Sequence, residues 1–523
     1  MPSLNTEDLK ISLRELSGLF RFMPLVFLAP IPVSIYVILA RDLFKGKIRL
    51  EDTLTLLGGL SVQDFSAILV NLVIRCLVFI VPAVLAYFLY SVLRELAPRQ
   101  QQSQAKARHA MMSVSLGWLI IALISAIPYV LIGTLNPVDA CFESVSGWST
   151  TGMSLIKDVD SAPRDILFYR SLTQWLGGLG IIFIALSVFM RKGTVAMDYY
   201  ASEKGEKRIK PSIKGTVTEI WKIYGVYTVI CFIMLYLAGM GLFDALNHSM
   251  SVLATGGFST HNSNIGFFQD RPAILLILTA FMFIGSISFF VHFKLFEGRI
   301  SNLTNNLEFK YMISLLVLTA ASISLILYLH DPGSGVNAIS KAALHSICAV
   351  TTTGFSMTDI SKWPEVSQML LIPLMYVGGF YGSTAGGIKI LRLIVMIEVI
   401  LYSIKKLTLP KTAIVRVKIG ESPIAGDEIF SVFGFSAAYL LIMVAGALLL
   451  MSEYTTTQAL FLSASSIGNV GLINVSPEHW FNMSTTSKII LSFLMWVGRL
   501  EVLPVLVFLN SLCLKKRTPS FQA

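Results

Sequence analysis

Thr351-Thr352-Thr353-Gly354-Phe355-Ser356 is an uncharged hexapeptide lying between two long apolar segments, and three other stretches of the chain echo it. They are Ser149-Thr150-Thr151-Gly152-Met153-Ser154, Ala254-Thr255-Gly256-Gly257-Phe258-Ser259 and Gly468-Asn469-Val470-Gly471-Leu472-Ile473. Each has a glycine in its fourth place, and these glycines are about a hundred residues apart. One copy alone would be an ordinary Ser/Thr-rich turn. Four copies, each following a short, weakly apolar run and preceding a long apolar one, are a repeated supersecondary unit.

The unit reads as helix, short re-entrant helix, loop, helix. Non-helical backbone is tolerated at membrane depth only where protein buries it or water reaches it, because unpaired carbonyls in hydrocarbon cost several kcal/mol each. Four such loops meeting on one axis would offer those carbonyls to an ion.

Composition agrees with a bilayer setting. Of 523 residues, 54% are hydrophobic and only 14% charged, which excludes an ordinary soluble multidomain protein. Apolar runs of about 20 residues match a hydrocarbon core roughly 30 Å thick. The five cysteines are scattered singly, with neither zinc-site spacing nor a disulfide framework. The net charge of +10 is concentrated in patches: Arg94 to Arg108, Arg191 to Lys214, Lys405 to Lys418, and Lys515 to Arg517. The positive-inside rule places all four in the cytoplasm, so nucleic acid is not needed to explain them. Arg41, Lys45, Lys47 and Arg49 run against that topology. Met1 to Leu19 carries mixed charge without the apolar core of a cleavable signal, so the first span is expected to direct insertion.

Two leading spans, Phe22 to Ala40 and Phe65 to Val92, lie outside the repeats, and Arg75 in the second is expected to serve packing. The expected divisions are 1–108 for this addition and its linker, then 109–192, 193–298, 299–407 and 408–523 for the four repeats. In the first repeat, Asn136-Pro137 supplies an N-cap and a proline at the first helical position. The helix that follows, Asp139 to Trp148, is too short to span and directs its partly negative C-terminal end inward, where cations are favoured. Asp139 and Glu143 share a face of it and are expected to draw cations to the mouth. Asp158 and Asp160 read as solvated. The corresponding short helices are Phe243 to Ala254, Ala338 to Val350 and Thr457 to Ser466; His248 and His345 on two of them read as packed residues.

The long apolar segments after the loops are Leu167 to Met190, Ala273 to Phe293, Met369 to Ile404 and Ile489 to Leu509. Gln174-Trp175-Leu176-Gly177-Gly178-Leu179-Gly180, in the first, has small residues suited to close helix contact and lacks the strand and spacing of a dinucleotide fingerprint. The third would be about 54 Å long as one helix, so it must break. Gly378-Gly379-Phe380-Tyr381-Gly382-Ser383-Thr384-Ala385-Gly386-Gly387 supplies the break, with Lys389 and Arg392 just after it. It imitates a phosphate-binding loop only loosely, since the lysine is one place late and no strand precedes it. A broken helix beside a pore points instead to a flexible constriction. Arg499 and Glu501 in the last segment are an internal charge pair or a helix-end snorkel, or else Arg499 faces the pore and repels cations until a gate moves.

Together the four loops, Gln174 to Gly178, Gly382 to Lys389, and Gly498-Arg499-Leu500-Glu501 resemble the Trk-type potassium uptake subunits of bacteria and archaea, within the superfamily that also holds Ktr and plant HKT transporters. The resemblance implies an all-α polytopic membrane protein with four pseudo-symmetric helix, pore-helix, helix units round one pore, plus two N-terminal transmembrane helices. It implies ion coordination by backbone carbonyls of the two residues before each glycine: Thr150 and Thr151 before Gly152, Thr255 and Gly256 before Gly257, Thr352 and Thr353 before Gly354, and Asn469 and Val470 before Gly471. In the second loop, aligning Phe258 with Phe355, and His248 with His345, selects Gly257 over Gly256. The gate would comprise Gly378, Gly379, Gly382, Ser383, Thr384, Gly386, Gly387, Lys389 and Arg499.

A homodimer in the plasma membrane, in contact with lipid, is implied, with a TrkA-like nucleotide-binding RCK ring on the cytoplasmic face. The transported ion would be K⁺, with no organic cofactor in this chain. The rival reading is a cation-coupled secondary transporter working by alternating access. An enzyme is not expected, since no H-E-x-x-H, G-x-S-x-G or catalytic carboxylate pair is present.

Overall fold

The computed structural model describes residues 6–38, 62–96, 107–184, 213–408, 410, 417–419 and 422–513. Most of the basic residues in the linker after residue 96, in the loop beyond residue 184, in the segment around Lys411 and Arg416, and at the C-terminus lie outside them, as do Arg41 to Arg49.

The protein is an all-α polytopic membrane protein; its only described strands, Lys418–Ile419 and Ser422–Pro423, form a minimal antiparallel hairpin. Six helices among the described residues are long and apolar enough to cross a bilayer. Outer helices turn residues such as Leu237, Leu318, Leu441 and Leu448 outward, where lipid is the solvent.

Four times the chain runs through a long outer helix, a short pore helix, a loop and an inner helix. The outer helices are Ala107–Ser125 continued by Ile127–Leu131, then Ile213–Leu237, Leu307–His330 and Gly426–Leu450. The pore helices are Pro137–Trp148, Leu242–Leu253, Gly335–Val350 and Thr456–Ile467. The first starts at the expected cap, with the Asn136 side chain accepting from the Asp139 N–H at 3.0 Å. The fourth starts with a reciprocal Thr455 and Gln458 capping box.

The inner helices depart most from expectation. The first, Arg164–Ile184, is continuous as far as it is described. The third breaks as the glycines require, into Glu365–Val377 and Ile390–Thr408. The second and fourth, expected as single spans, break too: Pro272–Ser286 meets Phe289–Phe296 at 106°, and Thr485–Arg499 meets the next helix at 112°. In the second, Ile287 takes an extended conformation and Ser288 opens the next helix; in the fourth, Glu501 and Val502 are left-handed at φ 57° and 54°. Left-handed non-glycine residues cost of order 1–3 kcal/mol each, so surrounding contacts must hold this corner.

The N-terminal addition also differs. The mixed-charge segment is helical from Thr6 to Phe20 and continues through Met23–Leu28 and Ile31–Ile38, so that the apolar span runs over Ser12–Ile38. Its partner is one helix, Val62–Leu96. Arg75 on that helix pairs with buried Asp165 at 2.9 Å, and Ser34 donates to the same carboxylate at 3.0 Å. The arginine therefore clamps the addition to the first inner helix.

Candidate functional site

Each pore helix ends in the same backbone figure. Thr150, Thr255, Thr352 and Asn469 are left-handed, with φ between 50° and 54°. Two residues later Gly152, Gly257, Gly354 and Gly471 have φ of 88°, 79°, 71° and 95°. The residue between them donates to a carbonyl in the last turn of the helix in every repeat: Thr151 to Ser146 at 3.0 Å, Gly256 to Ser251 at 2.9 Å, Thr353 to Cys348 at 3.0 Å and Val470 to Ser465 at 2.8 Å. Helix ends are closed this way when a left-handed residue turns the chain back over the last carbonyls. The matching backbone places Gly257, and not Gly256, in register with the other three.

The loops close a ring. A β-carbon on Gly152 would run into the Gly256 carbonyl, one on Gly257 into that of Thr353, one on Gly354 into that of Val470, and one on Gly471 into that of Thr151. Each glycine is thus needed twice, for its positive φ and for the neighbouring carbonyl that occupies its side-chain space. All four glycines line a single cavity of about 570 Å³.

Side chains outside the loops brace the ring. Glu143 is fully buried, accepts from the Leu155 N–H at 2.8 Å and the Ser154 hydroxyl at 2.9 Å, and pairs with Arg170 at 2.8 Å. It is a strut behind the first loop and not the mouth charge that its helical spacing predicts. Asp139 is paired with Lys488 at 2.6 Å. His248 and His345 are packed as expected, each bonded to its own helix through Nδ1; the Nε2 of His248 meets the Ser259 hydroxyl at 3.0 Å, and that of His345 accepts from the Met357 N–H at 3.4 Å.

Next to the ring, residues 378–389 form a compact and largely buried segment, termed the plug for its packing. It is densely bonded. Phe380 N–H donates to the Ser286 carbonyl at 3.0 Å, Tyr381 N–H to the Glu308 carboxylate at 2.9 Å, and the Thr384 hydroxyl to the Gly285 and Leu253 carbonyls at 2.8 and 3.1 Å. Gly386 N–H donates to the Thr352 hydroxyl at 2.7 Å. The Lys389 ammonium donates to the Ala385 carbonyl within the loop. Ser383 bonds the Phe380 carbonyl at 2.7 Å, and the Gly382 carbonyl accepts from Phe289 N–H at 3.1 Å, so the break in the second inner helix seats the plug. A β-carbon on Gly378 would meet the Gly386 carbonyl; on Gly379, the Ala385 side chain; and on Gly387, the Gly378 backbone. Close packing, more than freedom to flex, requires these glycines.

Arg499 is 2% exposed and donates to three carbonyls: Thr384 at 2.9 Å, Gly177 at 2.7 Å and Gly178 at 3.2 Å. It joins the plug to the first inner helix. A pair with Glu501, one of the alternatives, is not made; Glu501 binds Arg392 at 2.7 Å, and the Arg392 guanidinium lies 3.9 Å from the Phe435 ring centre. Glycines in the inner helices let them touch the pore-helix ends, since β-carbons on Gly177 and Gly498 would strike the Trp148 and Ile467 carbonyls.

Sequence reasoning missed the Glu143 and Arg170 strut, Glu308, the Arg392 and Glu501 pair, and Gln174. Buried charge was the available signal for the first three. For Gln174 it was the missing side chain at Gly256.

A family model described as "TrkH: Cation transport protein" matches residues 80–514. An uncharacterized cation transporter, MJ1485, of Methanocaldococcus jannaschii is 35% identical over 413 residues, covering 78% of this chain and 84% of that protein. The Trk system potassium uptake protein TrkH of Escherichia coli is 32% identical over 419 residues, 78% of this chain and 86% of its own length. The crystal structure of the potassium transporter TrkH from Vibrio parahaemolyticus superposes with a TM-score of 0.77 at 28% identity, covering 96% of this chain and 98% of that one. With its four-loop ring, its plug and these relatives, the chain belongs to the TrkH family of cation transport proteins.

Proposed function

We propose that the protein is a gated, K⁺-selective pore for potassium uptake across the plasma membrane of a bacterium or archaeon. The observation that carries this reading is the ring itself: four glycines facing one cavity, each abutting the carbonyl before the next. Carbonyls of Thr150 and Thr151, Thr255 and Gly256, Thr352 and Thr353, and Asn469 and Val470 replace the hydration shell of K⁺. Neutral dipoles favour the larger, more easily dehydrated ion over Na⁺. The C-terminal ends of four pore helices add partial negative charge at the same place.

Permeation runs down the electrochemical gradient, to which the membrane potential adds about 2.3 kcal/mol per charge per 100 mV. The plug from Gly378 to Lys389 and the Arg499 guanidinium close the path below the ring, by bulk and by repulsion of cations. A second copy of the chain and a nucleotide-binding ring on the cytoplasmic face complete the assembly and move the plug.

The test is ⁸⁶Rb⁺ entry into reconstituted vesicles driven by an imposed membrane potential, with equal Na⁺ and pH on both sides. Sustained entry that K⁺ blocks and Na⁺ does not is expected. Entry only when a Na⁺ or proton gradient is present would replace the pore with coupled alternating access.

A further inference from the structure

The four loops are equivalent in backbone and unequal in side chain at the place just before the glycine. There Thr151 and Thr353 are tied back to the end of their own pore helices, Thr151 to the Ser149 hydroxyl at 2.7 Å and Thr353 to the Thr351 hydroxyl at 2.9 Å. Val470 has no hydroxyl but is β-branched and stiff. The second loop has Gly256, which has no side chain to anchor and more backbone freedom than any other residue.

The space is filled from another repeat. Gln174, fully buried on the inner helix Arg164–Ile184, extends its amide to where a β-carbon of Gly256 would stand. Its Oε1 accepts from the Ser251 hydroxyl at 2.8 Å and the Phe258 N–H at 3.2 Å, and its Nε2 donates to the Gly256 carbonyl at 2.5 Å. All three bonds fit one orientation of the amide. Ser251 occupies the last turn of the pore helix, so Gln174 makes to it the tie that the threonines of the first and third loops make to theirs.

We infer that Gln174 is a specificity-determining positioning residue, a side chain lent by the first repeat to hold the second loop's Gly256 carbonyl at its station in the ion-binding ring. A carbonyl oxygen has two acceptor sites, so a donor behind it leaves the other for the ion. Fixing its direction denies a smaller ion the inward collapse that a free glycine peptide would allow. Part of its field is spent on the amide, so this oxygen binds an ion less strongly than its three counterparts. The inference rests on the reading of the ring as the selective element of a K⁺ pore.

The experiment compares Na⁺ and Rb⁺ entry into vesicles holding the full chain or its variants. Wild type comes first: if it fails to prefer Rb⁺, the pore reading has failed and Gln174 is not at issue. Gln174→Met keeps length and shape without any of the three bonds; Gln174→Glu, when ionised, keeps the acceptor and loses the donor. In both, the Na⁺ to Rb⁺ ratio is expected to rise about fivefold, the scale of one net hydrogen bond. Gly256→Thr alone is expected to lose Rb⁺ entry because its side chain meets the Gln174 amide. Joined to Gln174→Ala, which makes room, it restores entry and the wild-type ratio, an outcome that mere helix packing would not produce. A selective wild type whose ratio is unchanged by Met and by Glu would overturn the inference, as would Gly256→Thr conducting normally with Gln174 in place.

Discussion

The Gly386 N–H donates to the Thr352 hydroxyl across 2.7 Å, so a plug residue hangs on a residue of the third ring loop. Position of the plug and order of the ring are therefore joined directly, here and where the Thr255 hydroxyl meets that of Thr384 at 3.4 Å. Thr352→Val removes the acceptor and leaves a buried N–H unpaired, which costs roughly 1–3 kcal/mol. Basal ⁸⁶Rb⁺ entry is expected to rise, and Thr352→Ser, which keeps the hydroxyl, is expected to stay near wild type. Equal entry in both variants would separate the plug from the loop.

Arg499 makes a different link, from Thr384 in the plug to Gly177 and Gly178 in the first inner helix. Its planar guanidinium reaches three carbonyls at once, and lysine has no such fork. Arg499→Ala is expected to raise basal flux about tenfold by loosening the plug and removing a buried charge. Arg499→Lys keeps the charge and is expected to raise it less. Flux measured at a fixed membrane potential, scaled to inserted protein, decides; a fall in both would remove the residue from the gate.

Much of this was legible in the chain. Four glycines at like spacing, the proline-capped first pore helix and the overlong third inner segment each express a rule that acts locally, through φ, capping or membrane thickness. The break at Ile287 has no such local signal, and that at Glu501 has only Pro504, which has no N–H to continue the preceding helix. At each a neighbouring element also accepts the bend: the Gly382 carbonyl takes the Phe289 N–H, and Arg392 takes the Glu501 carboxylate. Helical spacing put Asp139 and Glu143 on one face correctly. Their roles differ because one meets Lys488 in a pocket apart from the ring and the other meets Arg170 behind the first loop, partners far along the chain.

The Glu143 and Arg170 pair braces the first loop, and the Arg170 guanidinium also lies 4.1 Å from the Phe258 ring centre in the second. Both side chains are buried, and removing one partner of such a pair typically costs about 3–5 kcal/mol because the other charge is stranded. Glu143→Gln keeps the shape and one acceptor for Ser154 or Leu155. It is expected to lower the unfolding midpoint of the detergent-purified protein and to reduce Rb⁺ entry, and Arg170→Gln added to it is expected to recover part of the midpoint. Thermal melts of wild type and of both variants provide the check.

His261 joins the chain segments that follow Gly152 and Gly257. Its Nδ1 is 2.9 Å from Asp160 and its Nε2 3.5 Å from Asp244, with the ring stacked on Phe267 and Asn262 bonded to Asp158 beside it. Burial pushes its pKa down, but the two carboxylates outweigh burial and hold it above the ordinary 6.5. A raised value means that the tie contributes fully below 6.5 and is lost as pH rises through the folded-state value. Wild type is therefore expected to lose more thermal stability than His261→Gln as pH is raised from below 6.5. Parallel curves for the two proteins would show that the histidine carries no charge-dependent tie.

Gly354 and its three counterparts are the most demanding positions. At φ 71° a β-carbon is strained before any contact is counted, and the Val470 carbonyl already stands in its place. Serine there must push back a carbonyl of the fourth loop, so damage from one repeat is expressed in the next. Gly354→Ser is expected to widen the ring on that side, lowering the preference for Rb⁺ over Na⁺ by about tenfold, a loss near 1.4 kcal/mol of discrimination. Gly471→Ala is expected to act likewise through the Thr151 carbonyl. Paired isotope fluxes under one imposed potential measure both. If either variant keeps full selectivity, the ring of carbonyls is not where the ions are told apart.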